Sequence, residues 1–526
     1  VANAFETTDG TADGTADGVP PGAPDDATVF GTTGGRVRGR RLGPGVVAVL
    51  GIPYAAPPFG ADRFQPPRPA APWRGVRECV AFGPIPPQSA RLPHAPSWSP
   101  GDHDVLSLNV WTPAPAPRPS DRPLPVLLWI HGGAYTFGSS AQPDHDGAEL
   151  ARAGLVVVTC NYRVGFEGFG HVPGRPDNRG LLDQVAALRW VRDNIAGFGG
   201  DPRNVTVAGQ SAGAGSIACL LAMEEARGLF HRAIAHSVPD AYFPLDLATA
   251  ITARIAAAAG VAPTAEGLAS APPEALVAAT DQVAGAYRAD PDSGPLHYDP
   301  VLYAPVLDGT LLPTDPLDAL SAGAARDVDL LLCHTLEEHW LFHAVGSLAP
   351  ISSWAELARF AREYDLPDRL VAGYRALLPR ATPLEVHLAL LGDGLFGEHT
   401  SRLAEEQARA GGRAHLARFA RRRTTPHGPV RAWHAADVPF VFGHVDDPRA
   451  AFLIGGEPDD DDRALSRRMR RAWVDFATTG DPGWPPVTAS TTPVRSWSVP
   501  ADGLADDDTT GIRALWHGVR IGGLRA

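Results

Sequence analysis

Five residues, Gly209-Gln210-Ser211-Ala212-Gly213, have the types and the spacing of a nucleophile held out on a sharp turn. The G-x-S-x-G pattern sets a serine between a strand and a helix, and the flanking glycines remove side chains that would collide there. Its hydroxyl then faces outward for attack. The Ala212 amide and the start of the next helix face whatever oxyanion forms. Upstream, His131-Gly132-Gly133-Ala134 closes a continuous apolar run. Backbone N–H groups converge on a ligand oxygen only where side chains are small, so this loop is a second source of oxyanion donors. His131 is expected to be structural rather than an acid or base. Either motif alone also fits an ordinary turn. Their order and surroundings have to decide.

The elements around them have the right form. Asn204 to Ala208 is a short β-branched run that reads as a buried strand, and Ala214 to Met223 is small, apolar and helical. Val126 to Ile130 and Leu155 to Arg163 read as two more buried strands. From Leu181 to Ile195 the apolar residues fall mostly at helical spacing, and glycines at 197, 199 and 200 with Pro202 stop that helix. The order strand, helix, strand with Ser211, helix predicts a right-handed βαβ unit in a mostly parallel sheet. Strands are also expected near 35–39, 46–55, 106–111, 233–236 and 327–334. Residues 245–320 and 353–421 read as mainly helical insertions. Ala464 to Thr479 reads as an amphipathic helix, the acidic run Asp459 to Asp462 as a solvated loop without calcium-loop spacing, and the closing tryptophans Trp497 and Trp516 as packing on the sheet edge. Residues 1–28, with repeated Thr-Ala-Asp-Gly, read as a disordered acidic tail ahead of a single catalytic domain over 29–526.

Composition narrows the class. The 526 residues carry a net charge of −13 with no lysine, which argues against nucleic acid or anionic membrane as a partner. No apolar stretch is long enough to span a bilayer, and the first residues do not read as a basic-then-apolar leader, so a cytoplasmic protein is expected, or a secreted one if a leader has been removed. Cys79, Cys160, Cys219 and Cys333 lack zinc-site spacing, and His339 with His343 has no third ligand, so neither metal nor cofactor is expected.

Seven motifs in one order resemble the type-B carboxylesterase family, which includes para-nitrobenzyl esterases and cholinesterases. They are Gly51-Ile52-Pro53-Tyr54-Ala55, Leu108-Asn109-Val110-Trp111, the His131 loop, Asn161-Tyr162-Arg163-Val164-Gly165, Gly180-Leu181-Leu182-Asp183-Gln184, Phe198-Gly199-Gly200-Asp201-Pro202 and the Ser211 turn. The resemblance implies an α/β-hydrolase fold, a large mostly parallel central sheet flanked by helices. It implies a serine esterase that works through an acyl-enzyme, with Ser211 as nucleophile and Gly133, Ala134 and Ala212 as oxyanion-hole amides. The family acid maps to Glu338, although both glycines of the family's acid motif are replaced and Glu337 is adjacent. The base maps to His434, ahead of Pro439-Phe440-Val441-Phe442-Gly443, with His427 and His444 as rivals that lack this context.

Two departures carry information. Pro86 and Val105 stand where the family commonly has a disulfide, which suits a reducing, cytoplasmic setting. Gln210 stands where the family usually has glutamate, so a charge that would favour cationic substrates is missing; the alternative is a side chain that only satisfies buried backbone groups. The expected partner is a small-molecule ester, acted on by a monomer or weak homo-oligomer. An amidase or carbamate hydrolase with the same triad is the alternative, and a non-catalytic member of the fold a remote one.

Overall fold

The computed structural model describes residues 28–43, 45–89, 96–114, 122–425, 428–507 and 511–520. The acidic tail expected over 1–28 lies, but for Thr28, outside the described residues, as does His427.

Alternation along the strands builds the core. In Val46–Pro53, Val47, Val49 and Ile52 join one apolar cluster, while Val46, Ala48 and Leu50 join another. Leu124–Ile130 does the same, with Val126, Leu128 and Ile130 on one side and Leu127 and Trp129 on the other. Successive side chains of a strand point to opposite faces, so strands apolar at every position need cover on both. Helices supply it: Arg179–Asn194 and Ala212–Ala222 on one face, Asp460–Thr479 on the other.

The result is an eleven-stranded sheet. From one edge to the other its strands are Gly503–Asp506, Pro493–Trp497, Ala414–Phe419, Asp329–Thr335, Arg232–His236, Gly200–Gln210, Leu124–Ile130, Val156–Cys160, Ser107–Pro113, Val46–Pro53 and Arg40–Arg41. The strands from Pro493–Trp497 through Val156–Cys160 pair in parallel, and antiparallel strands finish both edges. Ser211 follows the long strand Gly200–Gln210, near the middle.

Several family-like motifs prove to be packing devices. The Arg163 guanidinium donates to both carboxylate oxygens of Asp183, both side chains fully buried, and so pins the end of Val156–Cys160 to the helix behind the site. Asn109 receives the Gly51 amide and donates to Ser140 and Thr159, and Gln184 donates to Ser216.

The chain departs from expectation in three places. The helical insertion stops at Arg409, and Ala414–Phe419 is a sheet strand, because its alternate residues Ala414 and Leu416 complete one core cluster and Ala417 and Phe419 the other. Asp459 to Asp462 is the capped start of Asp460–Thr479 rather than a solvated loop. Asp459 and Asp462 form a capping box, and buried Asp462 takes two N–H bonds from Arg421 at 2.7 Å. Trp497 lies in the sheet as expected, but Trp516 does not. It is buried in a separate helical cluster and donates its indole N–H to Tyr374.

Candidate active site

The turn after Gly200–Gln210 is as strained as its motif requires. Ser211 has φ 56° and ψ −126°, a conformation side chains rarely adopt. The helix folds back so closely that a Cβ on Gly213 would overlap the Ile130 carbonyl, and one on Gly209 would lie 2.8 Å from the Gly213 carbonyl carbon. The Ser211 amide donates to the His236 carbonyl at 2.9 Å, tying the turn to the next parallel strand.

The His131 loop lies against this turn. A Cβ on Gly132 would come 3.1 Å from Ser211 Cβ. Gly133, Ala134 and Tyr135 all have positive φ, and the Gly133 carbonyl turns away to accept the Thr136 and Phe137 amides. The Gly133, Ala134 and Ala212 amides donate to no protein acceptor among the described residues. Three orphan donors beside one serine are a ready acceptor site for an oxyanion. His131 stacks on Tyr162 and donates from Nδ1 to the Gly132 carbonyl, and burial drives it down to about 3, so it stays neutral and structural.

The other two sequence candidates meet 96 positions apart in the chain. His434 Nδ1 donates to Glu338 Oε2 at 2.5 Å, and both are buried. The second oxygen, Oε1, receives the Thr335 amide and the Ser237 hydroxyl, each at 2.7 Å. Burial alone would push this carboxyl up; its interaction with His434 and these hydrogen bonds outweigh it and hold Glu338 below its usual value. Glu337 points elsewhere, bound by Arg422, Arg431 and the Ala432 amide. His444 bonds the Asp146 carbonyl, away from the serine. Phe342 and Phe396 flank the His434 ring at 5.1 and 4.6 Å.

Gln210 does not merely satisfy buried backbone groups. Its amide nitrogen donates to His434 Nε2 at 3.0 Å. With Nδ1 committed to Glu338, Nε2 carries the lone pair, so the amide occupies the acceptor that would otherwise receive the serine proton. The Ser211 hydroxyl has no hydrogen-bond partner among the described residues.

Sequence reasoning missed Ser237, His236, Asp437 and Trp473. Ser237 has φ 53° and follows the parallel strand next to that of Ser211; a hydroxyl at a strand's carboxyl end was the available signal. His236 donates from Nδ1 to Asp437 Oδ2 at 2.5 Å and accepts the Trp473 indole N–H at Nε2. Asp437 is three residues past His434, so this buried pair ties the His434 loop to the strand holding the Ser211 amide. Cys333 lies close to the pair, but with both imidazole nitrogens used the three residues leave no lone pair on the ring for a cation.

The carboxylesterase family model matches residues 26–501. The para-nitrobenzyl esterase of Bacillus subtilis is 36% identical over 464 residues, covering 84% of this chain and 89% of its own. The phenmedipham hydrolase of Pseudarthrobacter oxydans is 34% identical, covering 83% and 87%. Among solved structures, a carboxylesterase of Geobacillus stearothermophilus superposes with a TM-score of 0.80 at 36% identity, covering 93% of this chain and 100% of that one. A strained serine beside three orphan amides, on a fold and sequence shared with these enzymes, has one reading: the chain belongs to the carboxylesterase family and is a carboxylic ester hydrolase of the α/β-hydrolase fold.

Proposed function

We propose that Ser211, His434 and Glu338 carry out the hydrolysis of small-molecule esters, with the Gly133, Ala134 and Ala212 amides receiving the oxyanion. The observation that carries this reading is the contact from Glu338 Oε2 to His434 Nδ1, which turns Nε2 toward the residue beside the serine. A neutral serine hydroxyl is a poor nucleophile, so the reaction needs a base at that nitrogen.

For attack, the Ser211 hydroxyl takes the place of the Gln210 amide at His434 Nε2. Serine oxygen bonds to the ester carbonyl carbon, and its proton passes to Nε2. Glu338 fixes the tautomer and stabilises the imidazolium. The carbonyl oxygen becomes an oxyanion under the three amides, each such donor commonly worth ~3–4 kcal/mol. The imidazolium returns the proton to the leaving alcohol as the carbon–oxygen bond breaks. Water then repeats the sequence on the acyl-enzyme and releases the acid. A cytoplasmic setting is supported by four buried, unpaired thiols. Among the described residues no helix is long and apolar enough to cross a membrane.

The test is Ser211→Ala assayed on nitrophenyl esters of rising chain length. A loss of at least ~10⁴-fold with folding intact is expected. Retained hydrolysis would move the nucleophile elsewhere.

A further inference from the structure

A cavity of about 720 Å³ lies behind Glu338. Glu338 lines it, whereas Ser211, His434 and the three orphan amides do not, so it is a separate space on the far side of the acid. Its size is that of a small-molecule site. Leu377, Leu378, Leu388, Ala389 and Ile512 form an apolar flank, and charged groups form the rest.

Most of the charges pair off. Arg513 donates to Glu398, Glu405 and Asp507, and Arg418 donates to Asp507. Glu337 is held by Arg422 and Arg431, and Glu338 by His434. Glu385 caps the helix Pro383–Gly392 through Thr382, and Arg380 stands exposed at the mouth. His334 is pushed down to about 4 by burial and adds no positive charge. Asp393 has no ion-pair partner among the described residues, and neither has Glu385, which Thr382 holds; Asp393 Oδ2 receives the Tyr374 hydroxyl at 2.5 Å, and Oδ1 receives nothing. Burial raises it to about 7, as expected of a carboxyl without a counter-charge.

We propose that this cavity binds a small organic ammonium ion bearing an apolar chain, with Asp393 as its counter-charge. Arg380 at the exposed mouth apart, an anion would have to break guanidinium pairs already made, and a neutral ligand would leave Asp393 unanswered. An ammonium donates N–H to Oδ1 and supplies the missing charge, while its chain covers Leu388, Ala389 and Ile512. The site is wired to the reaction centre. Asp393 opens a π-helical turn, Asp393–Gly397, of a kind found often at functional sites. Gly392 before it packs on Glu338, where a Cβ would lie 3.3 Å from Glu338 Cβ, and Phe396 within the turn faces the His434 ring. An occupant of the cavity therefore acts on the acid and the base together.

The test is calorimetric titration of the full chain with n-pentylammonium at pH 8, with 1-pentanol as the uncharged control. The ammonium is expected to bind one per chain, at least tenfold more tightly than the alcohol. Asp393→Asn is expected to weaken it at least tenfold, and Ala389→Phe, which fills the flank, to weaken it similarly if the first variant folds poorly. Binding should persist on protein whose Ser211 is blocked by a phosphonate. Equal binding by wild type and both variants, absence of binding, or loss of binding on blocking Ser211 would each overturn the proposal. The comparison of variants reads binding rather than turnover, so it stands whatever becomes of the proposed triad.

Discussion

Ser211 and the oxyanion loop could be read from the sequence because their chemistry dictates local spacing: glycines must flank a strained serine, and small residues must line a ring of amides. The resemblance maps the acid to Glu338 and not Glu337, but the physical reason could not be read there, because it depends on partners far along the chain. Arg422, Arg431 and the Ala432 amide claim Glu337, while Thr335, Ser237 and His434 surround Glu338. Glu338→Gln should therefore cost far more in kcat than Glu337→Gln, since it removes the acceptor that fixes the His434 tautomer; the reverse ranking in steady-state assays would move the acid by one position. Gln210 gives a second expectation. Its uncharged amide faces a lone pair on His434, whereas a carboxylate there would favour the imidazolium. At ~4 Å between charge centres and an effective dielectric of ~20 the Coulomb attraction of such a pair is about 4 kcal/mol before the cost of desolvation is subtracted. Gln210→Glu should shift the acid limb of kcat/KM to higher pH and raise the relative rate on a choline-like ester over its neutral isostere. Unchanged profiles and an unchanged ratio would mean that position 210 addresses neither group.

At the scale of elements, the βαβ unit was legible because buried parallel strands and helices have distinct periods. The strand Ala414–Phe419 was not, since an Arg-rich, helix-like approach leads into it and only its place between Asp329–Thr335 and Pro493–Trp497 makes it a strand. The π-helical turn also left no sequence signal, and it carries a stability prediction. Asp393 holds its proton in the folded chain up to about pH 7, while the unfolded chain releases it near the usual carboxylate value. Between those values the folded state binds the extra proton, so stability falls as pH rises through the window and then levels off. The full penalty is at most about 4 kcal/mol, and less because the cavity admits water beside the carboxylate. Asp393→Asn keeps an acceptor for Tyr374 and removes the charge. Its Tm should exceed the wild-type value by more at pH 8 than at pH 5; equal shifts, or a larger gain at pH 5, would show that the carboxylate is not the strained group.

At the scale of the molecule, the parallel core with antiparallel edges follows from runs that are apolar at every position, which is why the fold class could be anticipated. The fate of the ends could not. Trp516 packs among helices beside Tyr374 and not on the sheet, a choice made by shape far from its own sequence neighbourhood. The four cysteines are buried and unpaired at distant points in the chain, and Val105, where the family commonly has a cysteine, is itself a core residue. A thiol reagent added to denatured, unreduced protein should titrate all four; fewer would reveal a disulfide and an oxidising compartment. The central claim concerns one atom, the Ser211 hydroxyl oxygen. Wild-type protein treated with a fluorophosphonate and analysed by peptide mass spectrometry should carry one adduct per chain, on the peptide containing Ser211, with hydrolysis lost in proportion to labelling; an adduct on any other residue, or full activity in labelled protein, would contradict the account.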